Sequence, residues 1–196
     1  EISACLVGSE MCIRDRIFRI SLLLMLVCGL GYPLALTGIS QAAMPGKSNG
    51  SLVYDRQGNV IGSELIGQRF RDPRLFQGRE SSIKYDAAGS GSPNEAPSNP
   101  DLLKRMKASI EKWKEENPDV PISKLPVDLV TNSASGLDPD ISPDGAMAQI
   151  PRISRLTGLP EKELVQLVHQ HTKSDFLSEP RVNVLLLNLD LKEKLK

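Results

Sequence analysis

The sequence predicts an α+β fold in which one N-terminal transmembrane helix is followed by a single extracytoplasmic domain. Three observations lead to this prediction. An uncharged apolar run covers residues 20–43, helical and strand patterns alternate after it, and no internal repeat is visible. At 196 residues the chain has room for one anchor and one domain of ordinary size.

The apolar run is long enough to cross a bilayer, because a spanning helix needs about 20 residues. Arg14, Arg16 and Arg19 flank only its N-terminal side. Since arginine in short segments favours the cytoplasmic side of a membrane, residues 1–19 are predicted to lie inside and the remainder outside. A cell membrane is the predicted location.

Two other interpretations of the run stay open. Ser40 to Ala43 offer small residues for signal-peptide cleavage, although the run exceeds the usual apolar region of roughly 7–15 residues. A lipoprotein at Cys28 is disfavoured because bulky Leu26 and Val27 precede it. The adopted division is an unassigned segment 1–16, an anchor 17–43 and an outer domain 44–196. The first segment fits no pattern, and either a start at Met11 or a sequencing artefact would explain it.

Composition limits the kinds of partner that the outer domain can have. The chain carries 24 basic and 24 acidic residues, so its formal charge is zero. A nucleic-acid binder would show a clustered basic face, and none is predicted. The cysteines Cys5, Cys12 and Cys28 all precede the outer domain, whose core therefore depends on packing without disulfides.

The first half of the outer domain is predicted to contain a hairpin, a loop and a helix. Two short strands are predicted on either side of the turn 57–59, followed by a solvated loop over 89–100, rich in glycine, serine, proline and asparagine. Asn99 and Pro100 are typical of a helix start, and Asn117-Pro118 of its end. The apolar stripe of this helix is predicted to belong to the core; its members are Leu102, Leu103, Met106, Ile110 and Trp113.

The second half alternates between the two kinds of element. Residues 127–130 predict a short strand, and Ser142-Pro143 repeats the helix-start signal. A helix is predicted over 160–171, with Leu164, Leu167 and Val168 on one face. The apolar run 182–191 has the length and composition of a buried strand.

No catalytic residue and no metal site is predicted from the sequence. The phosphate-binding loop, dinucleotide-binding and HExxH motifs are absent, and Ser90 does not match a nucleophile elbow. His169 and His171 are the only histidines, and their spacing on a helix points them to different faces. The aspartates Asp138, Asp140 and Asp144 allow a cation site, but turn chemistry beside proline is favoured. Residues alone therefore indicate an anchored outer domain without a visible catalytic site.

Several short motifs occur together in a fixed order along residues 17–191. They are Tyr32-Pro33-Leu34, Thr37-Gly38, Asn49-Gly50-Ser51-Leu52, Gly62-Ser63, Leu65-Ile66-Gly67-Gln68, Pro97-Ser98-Asn99-Pro100, Val127-Asp128-Leu129-Val130-Thr131, Ser135-Gly136-Leu137-Asp138-Pro139, Ile141-Ser142-Pro143, Gln149 with Arg152 and Ile153, and Glu179-Pro180-Arg181-Val182-Asn183-Val184-Leu185 with Asn188-Leu189. Each motif is weak alone, but the ordered set resembles the KdpC family, the small accessory subunits of bacterial potassium-transporting Kdp ATPases. The chain departs from the family pattern at Glu80, where proline is usual, at Asp140, where histidine is usual, and over the loop 91–96.

The resemblance implies a complex with a channel-like potassium subunit, a P-type ATPase subunit and a very small membrane peptide, which imports potassium with ATP. KdpC-like subunits support assembly and are described as catalytic chaperones that raise the ATP affinity of the pump subunit. No bound cofactor is assigned to this chain, and ATP enters only as possible through the complex. Because ATP is cytosolic and the predicted domain is outside, coupling through the anchor and the assembled complex is favoured over direct ATP contact. Assembly alone is the other interpretation.

The resemblance also selects partner-contact candidates. Toward the outer end of the anchor they are Gly31, Tyr32, Pro33, Thr37 and Gly38, where small residues permit close helix approach and contact with the channel subunit is expected. A merely kinked anchor is the alternative. In the outer domain they are Ser98, Ser135, Gly136, Asp138, Gln149 and Arg152. Gln149 and Arg152 are favoured as contacts, whereas Asn99 and Ser142 are interpreted as N-caps.

Two rival functions differ from a pump subunit. A stand-alone membrane-anchored binding module of the envelope would purify alone and leave potassium uptake intact when deleted. A secreted enzyme would need signal cleavage near Met44, and it lacks a visible catalytic constellation.

Overall fold

The computed structural model describes residues 2–195, with side chains described from residue 13 onward. It divides into two compact units, Glu1–Ser51 and Leu52–Lys196. The predicted boundary between anchor and outer domain, at residues 43 and 44, remains a prediction. Helices and strands are mixed along the chain, which confirms the α+β class.

The N-terminal unit is a long helix with one irregular turn. Helix α1 covers Ile2–Leu26, a π-helical turn covers Val27–Gly31, α2 covers Tyr32–Ala43, and the short α3 covers Pro45–Ser48. By length and apolar composition, Ile13–Ala43 can cross a membrane. The predicted membrane-spanning helix is therefore confirmed as a helix of sufficient length.

Pro33 explains the π-helical turn. Proline has no backbone N–H, and its ring clashes with the carbonyl four residues earlier. The chain widens by one residue before it, so that the Tyr32 N–H donates to the Val27 carbonyl. The Thr37 hydroxyl donates to the Pro33 carbonyl at 2.8 Å, which supplies a side-chain donor in the following turn.

The second unit contains two small sheets. In the first, β1 (Leu52–Tyr54) pairs antiparallel with β2 (Val60–Ser63), which confirms the predicted hairpin. In the second, β5 (Arg181–Asn183) lies between β3 (Asp140–Ile141) and β4 (Thr172–Lys173), and both pairings are antiparallel.

Five helices accompany these sheets, and several begin where the sequence indicates. Their bounds are Pro100–Glu116 for α4, Pro143–Met147 for α5, Ile150–Thr157 for α6, Glu161–His171 for α7 and Val184–Lys194 for α8. The Asn99 side chain accepts from the Asp101 N–H and the Ser142 hydroxyl accepts from the Gly145 N–H, so both predicted N-caps are confirmed.

Two predicted strands are wrong. Residues Val127–Leu129 form a 3₁₀ turn, in which the Val130 and Thr131 N–H groups donate to the Val127 carbonyl. The run 182–191 is a strand only as far as Asn183, whose side chain accepts from the Leu186 N–H and starts α8. An N-cap inside an apolar run ended the strand, and the leucines that follow it suit a helix better than β-branched residues would.

The core lies where α5 to α8 pack on the second sheet. Leu164, Leu167 and Val168 are buried in it, as their common face predicted, together with Phe76. The α4 stripe behaves differently. Trp113 is buried and Leu103 is 54% exposed, whereas the other three stripe residues are half-buried, so the prediction that this stripe belongs to the core is confirmed only at Trp113 and is wrong for Leu103.

Candidate partner-contact surfaces

The anchor candidates occupy the exposed C-terminal part of the long N-terminal helix. Tyr32 is 64% exposed, and a side chain added at Gly38 would meet no atom within 4 Å. Ala35, Gly38 and Ala42 follow Gly31 at the spacing of one helix face, and all of them are exposed. This face thus has a stripe of small residues, which is the pattern that lets a second helix approach closely in a membrane.

The second unit presents a cluster of polar loops. We define the polar loop cluster as residues 79–95 and 131–138. The Arg79 guanidinium donates to the Asp138 carboxylate at 3.0 Å and to the Asn132 carbonyl at 3.2 Å, which joins the two segments. The Gly91 N–H donates to the Ser135 carbonyl at 2.9 Å, closing the other end. The loop 89–100, predicted to be solvated, is mostly exposed, and the Gly91 hydrogen bond ties its first part to the segment 131–138.

Gly136 is required where the two loops touch. Its φ of 76° lies in the left-handed region, and a Cβ there would lie 2.6 Å from the Ile83 side chain. Gly136 is buried, whereas Ser135 beside it is exposed. Of these two candidates, Ser135 can meet a partner and Gly136 shapes the loop that presents it.

Asp138 is half-buried in its ion pair with Arg79, and Ser98 is exposed before α4. The Asp138 carboxylate also accepts the Asp140 N–H at 3.1 Å, which fixes the chain as it enters β3. The cluster therefore brings Ser135, Gly136 and Asp138 together. Arg79 and Asn132, which hold them in place, were not among the predicted site residues.

Gln149 and Arg152, which were predicted as direct partner contacts, lie inside the second unit. Their side chains are 0% and 2% exposed. The Arg152 guanidinium donates to the carbonyls of Pro73 and Leu75 and to the Asn117 side chain. The physical reason is that these two carbonyls belong to a stretch without regular secondary structure, which becomes buried at Leu75, and their oxygens need donors there.

The stretch Pro73–Gln77, which we term the buried strap after its two buried residues Leu75 and Phe76, is paired almost entirely by side chains. Gln149 accepts the Gln77 N–H at 2.8 Å and donates to the Gln77 carbonyl at 3.0 Å. Asn188 pairs with the N–H and carbonyl of Phe76 in the same way, both at 2.8 Å. Two amide side chains thus replace the neighbouring strand that the buried strap lacks. Asn188 was missed because it was read as part of a strand.

The acidic and histidine candidates do not form a metal site. Within the described residues, no group of three or more His, Cys, Asp or Glu side chains could hold a metal ion. His171 pairs with Asp190 at 2.8 Å, while His169 is exposed. Asp140 receives a hydrogen bond from Asn183 and faces Arg181 at 3.4 Å, away from the exposed Asp144.

Burial raises the pKa of the Asp140 carboxyl, and the neighbouring Asp138 adds to this effect. The folded carboxyl therefore holds its proton more tightly than the unfolded one, and the folded state loses stability as the pH rises from about 4 through the raised pKa. Asp140→Asn is expected to increase the urea midpoint at pH 7 relative to the parent chain and to change it little at pH 3.5. The matched control, Asp144→Asn, replaces an exposed carboxyl on α5. An Asp140→Asn gain of equal size at both pH values would contradict this interpretation.

Comparison with known proteins agrees with the ordered motifs. The family described as "KdpC: K+-transporting ATPase, c chain" matches residues 15–193. The chain belongs to the KdpC family. A protein of Bacillus cereus (strain ATCC 14579) named "Potassium-transporting ATPase KdpC subunit" is 56% identical over 187 residues, which cover 94% of this chain and 97% of the relative.

Other KdpC relatives give the same result. Proteins of the same name from Bacillus thuringiensis subsp. konkukian and Bacillus anthracis (strain CDC 684) are 55% and 54% identical, with the same coverage of both chains. The similarity begins inside the long N-terminal helix, at residue 15 in the family match. The membrane-length helix is therefore part of what the KdpC family shares with this chain.

Proposed function

We propose that this KdpC-family chain is a non-catalytic accessory subunit of an ATP-driven, high-affinity potassium import complex. Family membership supports a role in a potassium-transport complex, and the match over residues 15–193 is the observation that carries the proposal. The proposed partners are a channel-like potassium subunit and a P-type ATPase subunit in the cell membrane. A helix long enough to span that membrane agrees with this placement.

The membrane helix is proposed as the main assembly surface. Without a hydrophobic driving force between helices in lipid, association depends on close packing, which small residues permit. The small-residue face through Gly31 and Gly38 has this character and is exposed in the isolated chain. The π-helical turn before Pro33 interrupts the helix at the same level, and such turns are frequent at functional sites.

The effect on the pump subunit is proposed to be indirect. The arginines before the helix favour an outside position for the second unit, whereas ATP is cytosolic. Raised ATP affinity would then arise because this subunit binds one conformation of the assembled pump better than another. The exposed part of the polar loop cluster, centred on Ser135, is the proposed contact with the potassium subunit on the outside.

Substitutions in the helix face test the assembly proposal. Gly31→Val and Gly38→Val are expected to reduce the larger subunits recovered with the tagged chain severalfold, because the added side chains keep a neighbouring helix away. Potassium-dependent ATPase activity in the recovered material should fall with it. Gly29→Val is the matched control, since Gly29 lies on a different face and also has open space around it. Equal recovery for all variants, or a chain that purifies alone before substitution, would contradict the proposal.

The outside position is tested by labelling with a membrane-impermeant maleimide in intact cells. In a chain without its native cysteines, Ala96→Cys is expected to react at once, because Ala96 is exposed in the loop before α4. A chain that retains only Cys12 serves as the opposite control and should react only after permeabilisation. If the cysteine at position 96 does not react with the maleimide in intact cells, this result would contradict the outside placement and favour direct contact with ATP.

A further inference from the structure

The loop between β4 and β5 displays two bulky apolar side chains at its tip. Phe176 is 102% exposed and Leu177 is 92% exposed, higher than any other large apolar residue among those the structure describes. Single exposed apolar residues are ordinary on protein surfaces. Two adjacent ones with no contact to the rest of the chain require another explanation.

The local geometry makes this pair unusual. The Ser178 N–H donates to the Asp175 carbonyl at 3.2 Å, so Phe176 and Leu177 occupy the two central positions of a tight turn. Such positions favour glycine, proline, asparagine, aspartate or serine. Phe176 and Leu177 depart from this turn preference, and neither side chain is buried in return. Exceptions of this kind are expected at functional sites.

The turn is also held firmly in place. Arg181 on β5 donates to the Asp175 carboxylate at 2.8 Å and to the Ser178 hydroxyl at 2.8 Å, which clamps both ends of the turn. Since β5 is the central strand of its sheet, the clamp ties the tip to the core. A fixed tip loses little conformational entropy when its side chains are buried by something else.

The charge around the tip is balanced. Lys173 and Arg181 offset Asp175 and Glu179, so the tip has neither the basic cluster that attracts acidic headgroups nor a net charge that they would repel. Its occupant should therefore be apolar, and binding should depend little on salt.

We propose that Phe176 and Leu177 insert into the interfacial region of the lipid bilayer in which the chain is anchored. This rests on the proposed anchoring, and it is favoured because a bilayer is the one apolar environment to which the chain is tethered. The second unit follows the first without an intervening linker, so the anchored helix keeps the whole second unit at raised effective concentration near the membrane. Aromatic and leucine side chains are typical of interfacial insertion.

The test uses the full chain in vesicles of phosphatidylethanolamine and phosphatidylglycerol whose acyl chains are brominated near the headgroup. Phe176→Trp is expected to give emission that shifts to the blue and is quenched at least twofold by the brominated lipid, equally at low and high salt. Val127→Trp is the matched control, because Val127 is 69% exposed on the 3₁₀ turn and should not be quenched. The buried Trp113 is the only native tryptophan, and its signal is subtracted using the unchanged chain.

Flotation of the vesicles separates the two ways in which the idea could fail. A chain that does not float with lipid would overturn both the anchoring and the insertion of the tip. A chain that floats, but in which position 176 is quenched no more than position 127, would overturn the insertion alone. Blue-shifted emission that appears only in the purified complex, without quenching by lipid, would also overturn it and assign the tip to a protein pocket.

Discussion

Arg152→Ala is expected to lower the free energy of unfolding of the second unit by about 3–5 kcal/mol, since it removes a buried hydrogen-bonded charge. The guanidinium donates hydrogen bonds to the carbonyls of Pro73 and Leu75 and to the side-chain oxygen of Asn117. Alanine at position 152 would leave these three oxygens without those donors. Gln149 would also lose the hydrogen bond that it accepts at 2.8 Å. Urea unfolding of the detergent-solubilised chain, followed by the fluorescence of the buried Trp113, measures the loss.

Two further variants separate the causes. Arg155→Ala lies on the same helix and removes an exposed ion pair with Asp119, so about 1 kcal/mol or less is expected. Arg152→Lys keeps a positive charge but cannot reach several oxygens in the planar geometry of a guanidinium, and it should recover only a small part of the loss. Burial lowers the pKa of Arg152, and the charge of Glu116 opposes this shift. Among the residues that the structure describes, Arg152 forms no ion pair, so hydrogen bonding carries its role. Similar losses for Arg152→Ala and Arg155→Ala would contradict this account.

The sequence predicted the elements whose signals are local. N-cap residues followed by proline placed the starts of α4 and α5 correctly, and the spacing of Leu164, Leu167 and Val168 gave the buried face of α7. The hairpin of β1 and β2 followed from its turn. Each of these signals lies within a few neighbouring residues, so the local sequence predicts the element without knowledge of distant contacts.

The predictions that failed depend on contacts between distant residues. Gln149 and Arg152 lie at the start of a helix, and nothing nearby shows that the buried strap reaches them from residues 73–77. The 3₁₀ turn at 127–129 is held in part by Asp128, whose carboxylate accepts the Ser142 N–H at 2.7 Å. In the polar loop cluster, Asp138 was selected by its motif, but its ion pair with Arg79 joins positions far apart in sequence.

The same reasoning explains why motif residues need not be contact residues. Gln149, Arg152 and Asn188 each supply side-chain hydrogen bonds to a backbone stretch that lacks a partner strand. Their identities are restricted by backbone geometry, as strongly as a binding site would restrict them. For partner contacts, the exposed candidates are more informative, namely Ser135 in the polar loop cluster and the small-residue face of the membrane helix.

Asn188→Asp tests the buried strap through pH. The Asn188 amide donates to the Phe76 carbonyl and accepts the Phe76 N–H, and the side chain is 1% exposed. A carboxylate at position 188 has no N–H to donate to the Phe76 carbonyl. It would instead bury a negative charge that faces this carbonyl oxygen. We therefore expect a loss of about 3–5 kcal/mol in the free energy of unfolding at pH 7, measured by urea unfolding.

The loss should shrink in acid, because a protonated carboxyl can again donate to the Phe76 carbonyl. Burial would raise the folded pKa of the new carboxyl above its unfolded value of about 4, so the deficit appears above pH 4 and grows until the pH passes the folded pKa. The parent chain at each pH supplies the reference. Asn188→Leu has a similar volume without a titrating group, and its deficit should not change with pH. A deficit for Asn188→Asp that is equally independent of pH would show that shape, rather than the paired hydrogen bonds with Phe76, fixes the buried strap.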